Sequence, residues 1–206
     1  MHGNFPFKRH PQEAPAPVIR LEQDGTPFSQ TMCQVRLKAG RISILLIMNI
    51  IIDRASSRGH ANHGWLNTYH TFSFANYFNP DRMQFGALRV LNDDTVLPDE
   101  GFGTHPHKNM EVISIPLKGK LRHGDSLNNS HTITRGEIQL MSAGTGILHS
   151  EYNDSSTDNL EFLQIWVIPD RINTEPKYKD YDIKPLLKHN EISTFLAPET
   201  DISIMQ

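Results

Sequence analysis

Two short pairs of side chains in this sequence could bind a metal ion. His105 and His107 flank a proline, and His149 and Glu151 flank a serine, so both pairs have the spacing i, i+2. In a β-strand, side chains at i and i+2 point to the same face. The stretch between the pairs has room for a few short strands and turns. A barrel could therefore bring the two strands side by side and converge four donors on one ion.

The donor types limit the kind of ion. Three imidazoles and one carboxylate, without sulfur, suit iron, manganese, copper, nickel or zinc. A closed structural zinc site is an alternative, although such sites usually contain cysteine. An octahedral ion would keep two positions for water, dioxygen or substrate. The other interpretation is that the histidines lie on the surface of strands and that Glu151 is a solvated carboxylate.

Composition excludes several classes of protein. The formal net charge is −3, with 20 basic and 23 acidic residues, so nothing indicates direct binding to nucleic acid or to a membrane surface. Cys33 is the only cysteine, which excludes an intrachain disulfide and a thiolate metal cage. A single cysteine fits a reducing compartment, and no targeting segment is visible, so we expect a cytoplasmic protein.

The pattern of short apolar runs predicts an all-β fold. Between residues 64 and 169, apolar and β-branched runs of four to eight residues alternate with Gly, Asn, Asp and Pro, which is typical of a sandwich or barrel. Examples are FGALRVLN (85–92), EVISIPLKG (111–119) and LEFLQIWVIP (160–169). The apolar run 42–52 has about half the ~20 residues needed to span a bilayer, so we interpret it as a buried strand.

Composition also divides the chain into three parts. Residues 1–47 mix Pro, Gly and charge without a sustained period, which predicts a disordered leader, with Met48 as an alternative start. Residues 48–169 form the predicted metal-binding domain. Residues 170–206 begin a further segment that stops after what looks like a strand or two.

Four motifs together resemble the pirin family of the cupin superfamily. They are GWLNTYHTFSFANYF (64–78), FGALRVLNDD (85–94), GFGTHPHKNMEVISIPLKGKLRHGDSLNN (101–129) and GEIQLMSAGTGILHSEYN (136–153). The last two resemble the first and second cupin motifs in their pirin form. The resemblance runs from about Met48 to Pro169, which is over half of the chain.

The resemblance implies a bicupin, made of two jelly-roll β-barrels with iron in the N-terminal one. It places the metal ligands at His105, His107, His149 and Glu151. The general cupin pattern has a further Glu, here Glu111, which pirins do not use as a ligand. For Glu111 we expect a partly exposed strand carboxylate or a hydrogen-bond partner of the site.

The resemblance also implies two possible functions. Some pirins are quercetin 2,3-dioxygenases, which act on flavonols with dioxygen, and in that role Glu151 would be the general base for the flavonol 3-hydroxyl. Other members are iron-dependent proteins that modulate a transcription or metabolic partner, and there the metal's oxidation state would change a docking surface. We take the dioxygenase as the leading hypothesis, with Fe(II) as the metal and Mn, Ni, Cu or Zn as alternatives.

The chain departs from the family pattern after Pro169. Family members have a complete second barrel, whereas about 37 residues remain here. We therefore expect a complete N-terminal cupin and a second cupin that has only begun, and an inactive product is a third interpretation. His123 and Asp125 follow the first cupin motif. We predict a turn role for them, with a place near the metal as the alternative.

Overall fold

A computed structural model of the chain describes residues 30–39, 42–51 and 54–196, with side chains from residue 54 onward. The chain divides into two compact units, Met1–Arg54 and Ala55–Gln206. No helix among the described residues has the length and apolar character needed to cross a membrane.

The first unit contains one antiparallel hairpin, made of β1 (Gln30–Ala39) and β2 (Ile42–Ile51). The strand predicted over 42–52 is confirmed as β2. The sequence predicted a disordered leader over residues 1–47, whereas residues 30–39 form β1 and residues 42–47 belong to β2. Apolar and basic residues alternate at the end of β1 (VRLK, 35–38), a period that favours a strand. Residues 1–29 of the predicted leader lie outside the described part of the chain.

Two antiparallel sheets form the second unit. The strands are β3 (Gly59–Asn62), β4 (Leu66–His70), β5 (Leu88–Val96), β6 (Gly101–His107), β7 (Glu111–Lys118), β8 (Lys120–Asp125), β9 (Ser130–Thr134), β10 (Glu137–Ser142), β11 (Ile147–Asn153), β12 (Leu160–Val167) and β13 (Lys177–Asp182). The large sheet has the order β13-β10-β7-β12-β5-β4-β3, and the small sheet has the order β6-β11-β8-β9. Two short 3₁₀ turns, Ala55–Ser57 and Lys184–Leu186, complete the described elements.

Apolar side chains from both sheets meet in the interior. In one cluster, Val96 and Phe162 of the large sheet pack with Leu121 and Ile133 of the small sheet. A second cluster joins Val112 and Met141 of the large sheet to Ile147 of the small sheet. The two sheets therefore pack face to face, and the predicted all-β cupin jelly roll is confirmed.

The C-terminal segment belongs to this same unit. β13 pairs with β10 at the edge of the large sheet, and Ile183 packs with Ile113 and Ile138 on the outer face of that sheet. β13, which follows the predicted boundary after Pro169, thus covers an otherwise open strand edge of this sheet. The second barrel that the resemblance implies stays a prediction.

Close approach between β6 and β11 requires a glycine. A β-bulge shifts the register of these strands, so that His149 faces His105 whereas Glu151 faces Phe102. At this point a Cβ on Gly101 would collide with the backbone oxygen of Glu151 and would lie 2.5 Å from Tyr152 Cα. Gly101 therefore allows β6 to pair beside Glu151.

We predict that Gly101→Ala destabilises the protein by about 1–3 kcal/mol, because backbone atoms must move to make room for the methyl group. Gly103→Ala is the matched control, since its Cβ would meet only Tyr152 Oη at 3.7 Å, and it should change stability by less than about 0.5 kcal/mol. Urea unfolding of the two variants and wild type measures both effects. Equal free energies of unfolding for the two variants would contradict this account of the β6–β11 contact.

Candidate metal centre

Three neighbouring strands of the small sheet carry the candidate ligands. β11 lies between β6 and β8, and its residue His149 faces His105 on β6 and Asp125 on β8. Two residues further along β11, Glu151 faces His123 on β8. The predicted side-by-side arrangement of the two ligand strands is present, and β8 adds a third strand.

Three histidines form the outer triad, which consists of His105, His107 and His149. One ligand atom from each lies within 4.8 Å of the others. The ring centroids of His105 and His107 are 4.4 and 4.8 Å from that of His149. His105 Nδ1 donates to the carbonyl oxygen of Gly103 at 2.7 Å. A carbonyl can only accept, so Nδ1 carries the proton and Nε2 keeps a lone pair for a metal.

Three fully buried side chains form the inner triad, which consists of His123, His149 and Glu151. Their ligand atoms also lie within 4.8 Å of one another. The four predicted ligands are therefore not one compact group in the structure. His149 belongs to both triads, His105 and His107 lie on its outer side, and Glu151 lies with His123.

Donors from the large sheet hold the carboxylate of Glu151. Ser114 Oγ lies 2.7 Å from Glu151 Oε1, and the side-chain amide of Gln139 donates to the same oxygen. Gln164 Nε2 donates to Oε2 at 2.5 Å. These donors come from β7, β10 and β12, so the carboxylate links the interior faces of the two sheets.

The ring nitrogens of His149 have no hydrogen-bond partner within the part of the chain that the structure describes. Its side chain is 1% exposed, and neither Nδ1 nor Nε2 has a partner among the described residues. Buried polar atoms are normally satisfied, because leaving one without a partner costs about 1–3 kcal/mol. A divalent metal ion bound by imidazole would satisfy such a nitrogen, so the donor set fits a metal on this observation.

Electrostatics keeps two of the histidines in the form that a metal requires. Burial, together with the nearby His149 and His105 rings, lowers the pKa of His107 from 6.5 to about 4. Burial and the His105 and His123 rings lower the pKa of His149 to about 3. Both imidazoles are therefore neutral at pH 7, and no proton must leave them before a metal binds.

The remaining sequence candidates take different places. Asp125 accepts the backbone N–H groups of Leu127 and Asn129 at 2.8 and 3.1 Å, so its predicted turn role is confirmed. The turn role predicted for His123 is wrong, because this side chain is fully buried in the inner triad. Glu111 lies in neither triad. It is buried and accepts a hydrogen bond from Ser142 Oγ at 2.8 Å, so it is not partly exposed.

Several polar residues of the site were not predicted. Ser114, Gln139 and Gln164 lie on strands that read as apolar, and their only sequence signal is a polar residue in the interior-facing register. Asp94, on β5, is also buried, with Oδ1 lacking a partner among the described residues. Burial raises the pKa of Asp94 to about 7 against the hydrogen bond from Thr68, and the charge of Glu151 raises it further.

Comparison with known proteins identifies relatives of this chain. A family model described as pirin matches residues 52–167. The chain is 54% identical over 130 residues to a protein named quercetin 2,3-dioxygenase from Escherichia coli K12, which covers 63% of this chain and 56% of that protein. A crystal structure of the bacterial pirin YhhW from E. coli with nickel(II) has a TM-score of 0.62 at 53% identity, covering 63% of this chain and 56% of that one. The chain thus spans about half the length of the relatives that it matches.

We predict that Asp94→Asn stabilises the metal-free protein increasingly as pH rises. The raised pKa means that the folded state resists ionisation of Asp94, whereas the unfolded chain ionises near pH 3.8. Wild type therefore loses stability as pH rises from about 4 to 7. The Asn variant does not, because its amide stays neutral over this range.

The advantage of the Asn variant over wild type should grow by roughly 2–3 kcal/mol between pH 5 and pH 8. Urea unfolding with chelator present measures it. Thr68→Val is a useful control, because it removes the hydrogen bond but keeps the ionisable carboxyl. A difference between Asp94→Asn and wild type that is constant across this pH range would contradict the prediction.

Proposed function

This chain belongs to the pirin family, and from that premise we propose that it is a metal-dependent dioxygenase of the quercetin 2,3-dioxygenase type. The proposed ligands are the outer triad, His105, His107 and His149, together with Glu151, whose carboxylate would have to move toward the ion. The observation that carries the proposal is the burial of His149 among side chains that could bind a metal, with neither ring nitrogen partnered by a described residue. The name of the 54% identical E. coli relative supports a flavonol and dioxygen as substrates.

The proposed ion is a divalent first-row metal. Imidazole and carboxylate ligands accept Fe, Mn, Ni, Cu and Zn. The related E. coli pirin has been crystallised with nickel(II), whereas Fe(II) is what the family resemblance implies, and we take Fe(II) as the proposed metal. When bound, such an ion supplies Lewis acidity, which lowers the pKa of a coordinating hydroxyl.

Glu151 is the proposed general base for the flavonol 3-hydroxyl. Its Oε2 accepts from Gln164 alone among the described residues, whereas Oε1 is contacted by both Ser114 and Gln139. Oε2 is therefore the oxygen that a hydroxyl proton could reach with the loss of one hydrogen bond. Rotation of the Gln164 amide would then present its oxygen to the protonated carboxyl. Ser114 and Gln139 meanwhile keep the other oxygen fixed.

We predict that Glu151→Gln separates metal binding from turnover. The variant cannot accept a proton, but the three histidines remain, so it should keep most of its metal and lose quercetin turnover by about 10²–10⁴-fold. His105→Ala/His107→Ala, which breaks the outer triad, should lose both the metal retained through desalting and the turnover. Metal content and quercetin-dependent oxygen consumption are measured on the same anaerobically Fe(II)-loaded samples.

His60→Ala/His63→Ala is the matched control, because it removes two exposed histidines that belong to neither triad. Parallel losses of metal and turnover in Glu151→Gln would make Glu151 a ligand and nothing more. If wild type retains iron but leaves quercetin untouched, the dioxygenase proposal fails. The alternative, an iron-dependent protein that modulates a protein partner, would then take its place.

A further inference from the structure

We propose that His123 is a fifth metal-binding side chain and that the inner triad is a second, deeper position for a divalent cation. This position consists of His123, His149 and Glu151, and it shares His149 with the outer triad. The proposal concerns metal binding alone, so it holds whether or not a flavonol is the substrate.

The backbone register places His123 at the inner position. β8 pairs with β11 so that His123 lies directly opposite Glu151. The His123 side chain is 0% exposed, and its ring centroid is 5.4 Å from that of His149. Its Nδ1 is buried without a hydrogen-bond partner among the described residues. A buried nitrogen without a partner, on a ring that belongs to a group of three donors, is suited to binding a metal ion.

The hydrogen bond that Asp125 accepts from His123 determines which ring nitrogen of His123 carries the proton. Asp125 accepts from Leu127 N, Asn129 N and Asn129 Nδ2, all at 2.8–3.2 Å, so its turn is built around a carboxylate that only accepts. His123 Nε2 lies 3.0 Å from Asp125 Oδ2 and must therefore donate. The proton on Nε2 leaves a lone pair on the buried Nδ1. A carboxylate that orients a histidine in this way is the usual neighbour of a metal-bound imidazole.

Tyr178 holds the same ring from its flat side. The two rings stack with centroids 4.1 Å apart and an interplanar angle of 16°. Tyr178 also donates through its hydroxyl to Gln139 Oε1 at 3.4 Å, and Gln139 in turn donates to Glu151. Tyr178 thus contacts His123 directly and Glu151 through Gln139, so both members of the inner triad are held in place together. Such fixed orientation is what a ligand needs before the ion arrives.

His149 belongs to both triads, and neither of its ring nitrogens has a hydrogen-bond partner among the described residues. The outer triad lies at the half-exposed edge strand β6, whereas all three members of the inner triad are buried. The inner triad also contains the carboxylate, whose charge compensates a divalent ion in a low-dielectric interior. The ligand class for the inner position is therefore a first-row divalent cation that accepts two imidazoles and one carboxylate.

When the outer ligands are removed, metal binding at the inner position can be measured by itself. Co(II) is titrated anaerobically into the full 206-residue chain carrying His105→Ala/His107→Ala, and binding is followed by calorimetry and by the ligand-field spectrum of the ion. We expect this variant, although it does not retain metal through desalting, to bind one Co(II) more weakly than wild type. Adding His123→Phe, which keeps the stack on Tyr178, should weaken that residual affinity at least about tenfold.

His131→Phe in the same background is the matched control. His131 is the cross-strand neighbour of His123 and its ring lies 5.8 Å from that of Tyr178, but it is exposed and belongs to neither triad. Thermal melting of the metal-free variants checks folding, and His123→Gln, which keeps a donor for Asp125, replaces His123→Phe if the latter does not fold. The proposal is overturned if the double variant binds no Co(II), or if the His123 and His131 variants bind it equally.

Discussion

The arrangement of the site depends on one costly feature, a buried histidine whose ring nitrogens find no hydrogen-bond partner in residues 54–196. His149 lies between two neighbouring strands, and the side chains around it are other imidazoles and a carboxylate. Burial keeps its imidazole neutral, with the pKa lowered to about 3. Each unpartnered nitrogen costs about 1–3 kcal/mol in the metal-free protein. Coordination to an ion would recover that free energy, so metal binding should stabilise the fold.

The carboxylate of Glu151 couples this centre to the opposite sheet. Ser114, Gln139 and Gln164 each lie on a different strand of the large sheet, and all three contact Glu151. Two apolar clusters also pack against these strands. One contains Phe162 of β12, and the other contains Val112 of β7 and Met141 of β10. Movement of Glu151 toward an ion would therefore change hydrogen bonds on three strands at once. This linkage explains why polar side chains occupy interior positions in strands that are otherwise apolar.

The sequence predicted the features that repeat with a strand's period. The i, i+2 spacing of His105 and His107 predicted that they share one face of a strand, and in the structure both cluster with His149. Alternating apolar runs predicted the all-β fold. His123 was missed because a single histidine near Asp125 looks like part of a turn, and only the pairing of β8 with β11 reveals its burial. The role of β13 was missed because the open edge of β10 becomes visible only when the sheet order is known.

The ligand assignment of Glu151 also shows what spacing cannot provide. Spacing alone suggested four equivalent ligands, whereas the bulge in the β6–β11 pairing places Glu151 opposite Phe102 and groups it with His123. A bulge depends on local backbone fit, here at Gly101, and a two-residue periodicity does not encode it. The family resemblance supplied the choice of Glu151 over Glu111, which residue types alone would have left open.

The most direct test of the account is metal-linked stability of His149→Phe beside wild type. Thermal unfolding is followed under anaerobic conditions with increasing Fe(II), and Fe(II) stoichiometry is measured on the same samples. We predict that wild type binds Fe(II) and gains about 2.7 kcal/mol at a free concentration 100-fold above Kd. His149→Phe should fold but gain almost nothing, because both triads lose their shared member. Stabilisation of the variant equal to that of wild type would contradict the claim that His149 is the centre of the site.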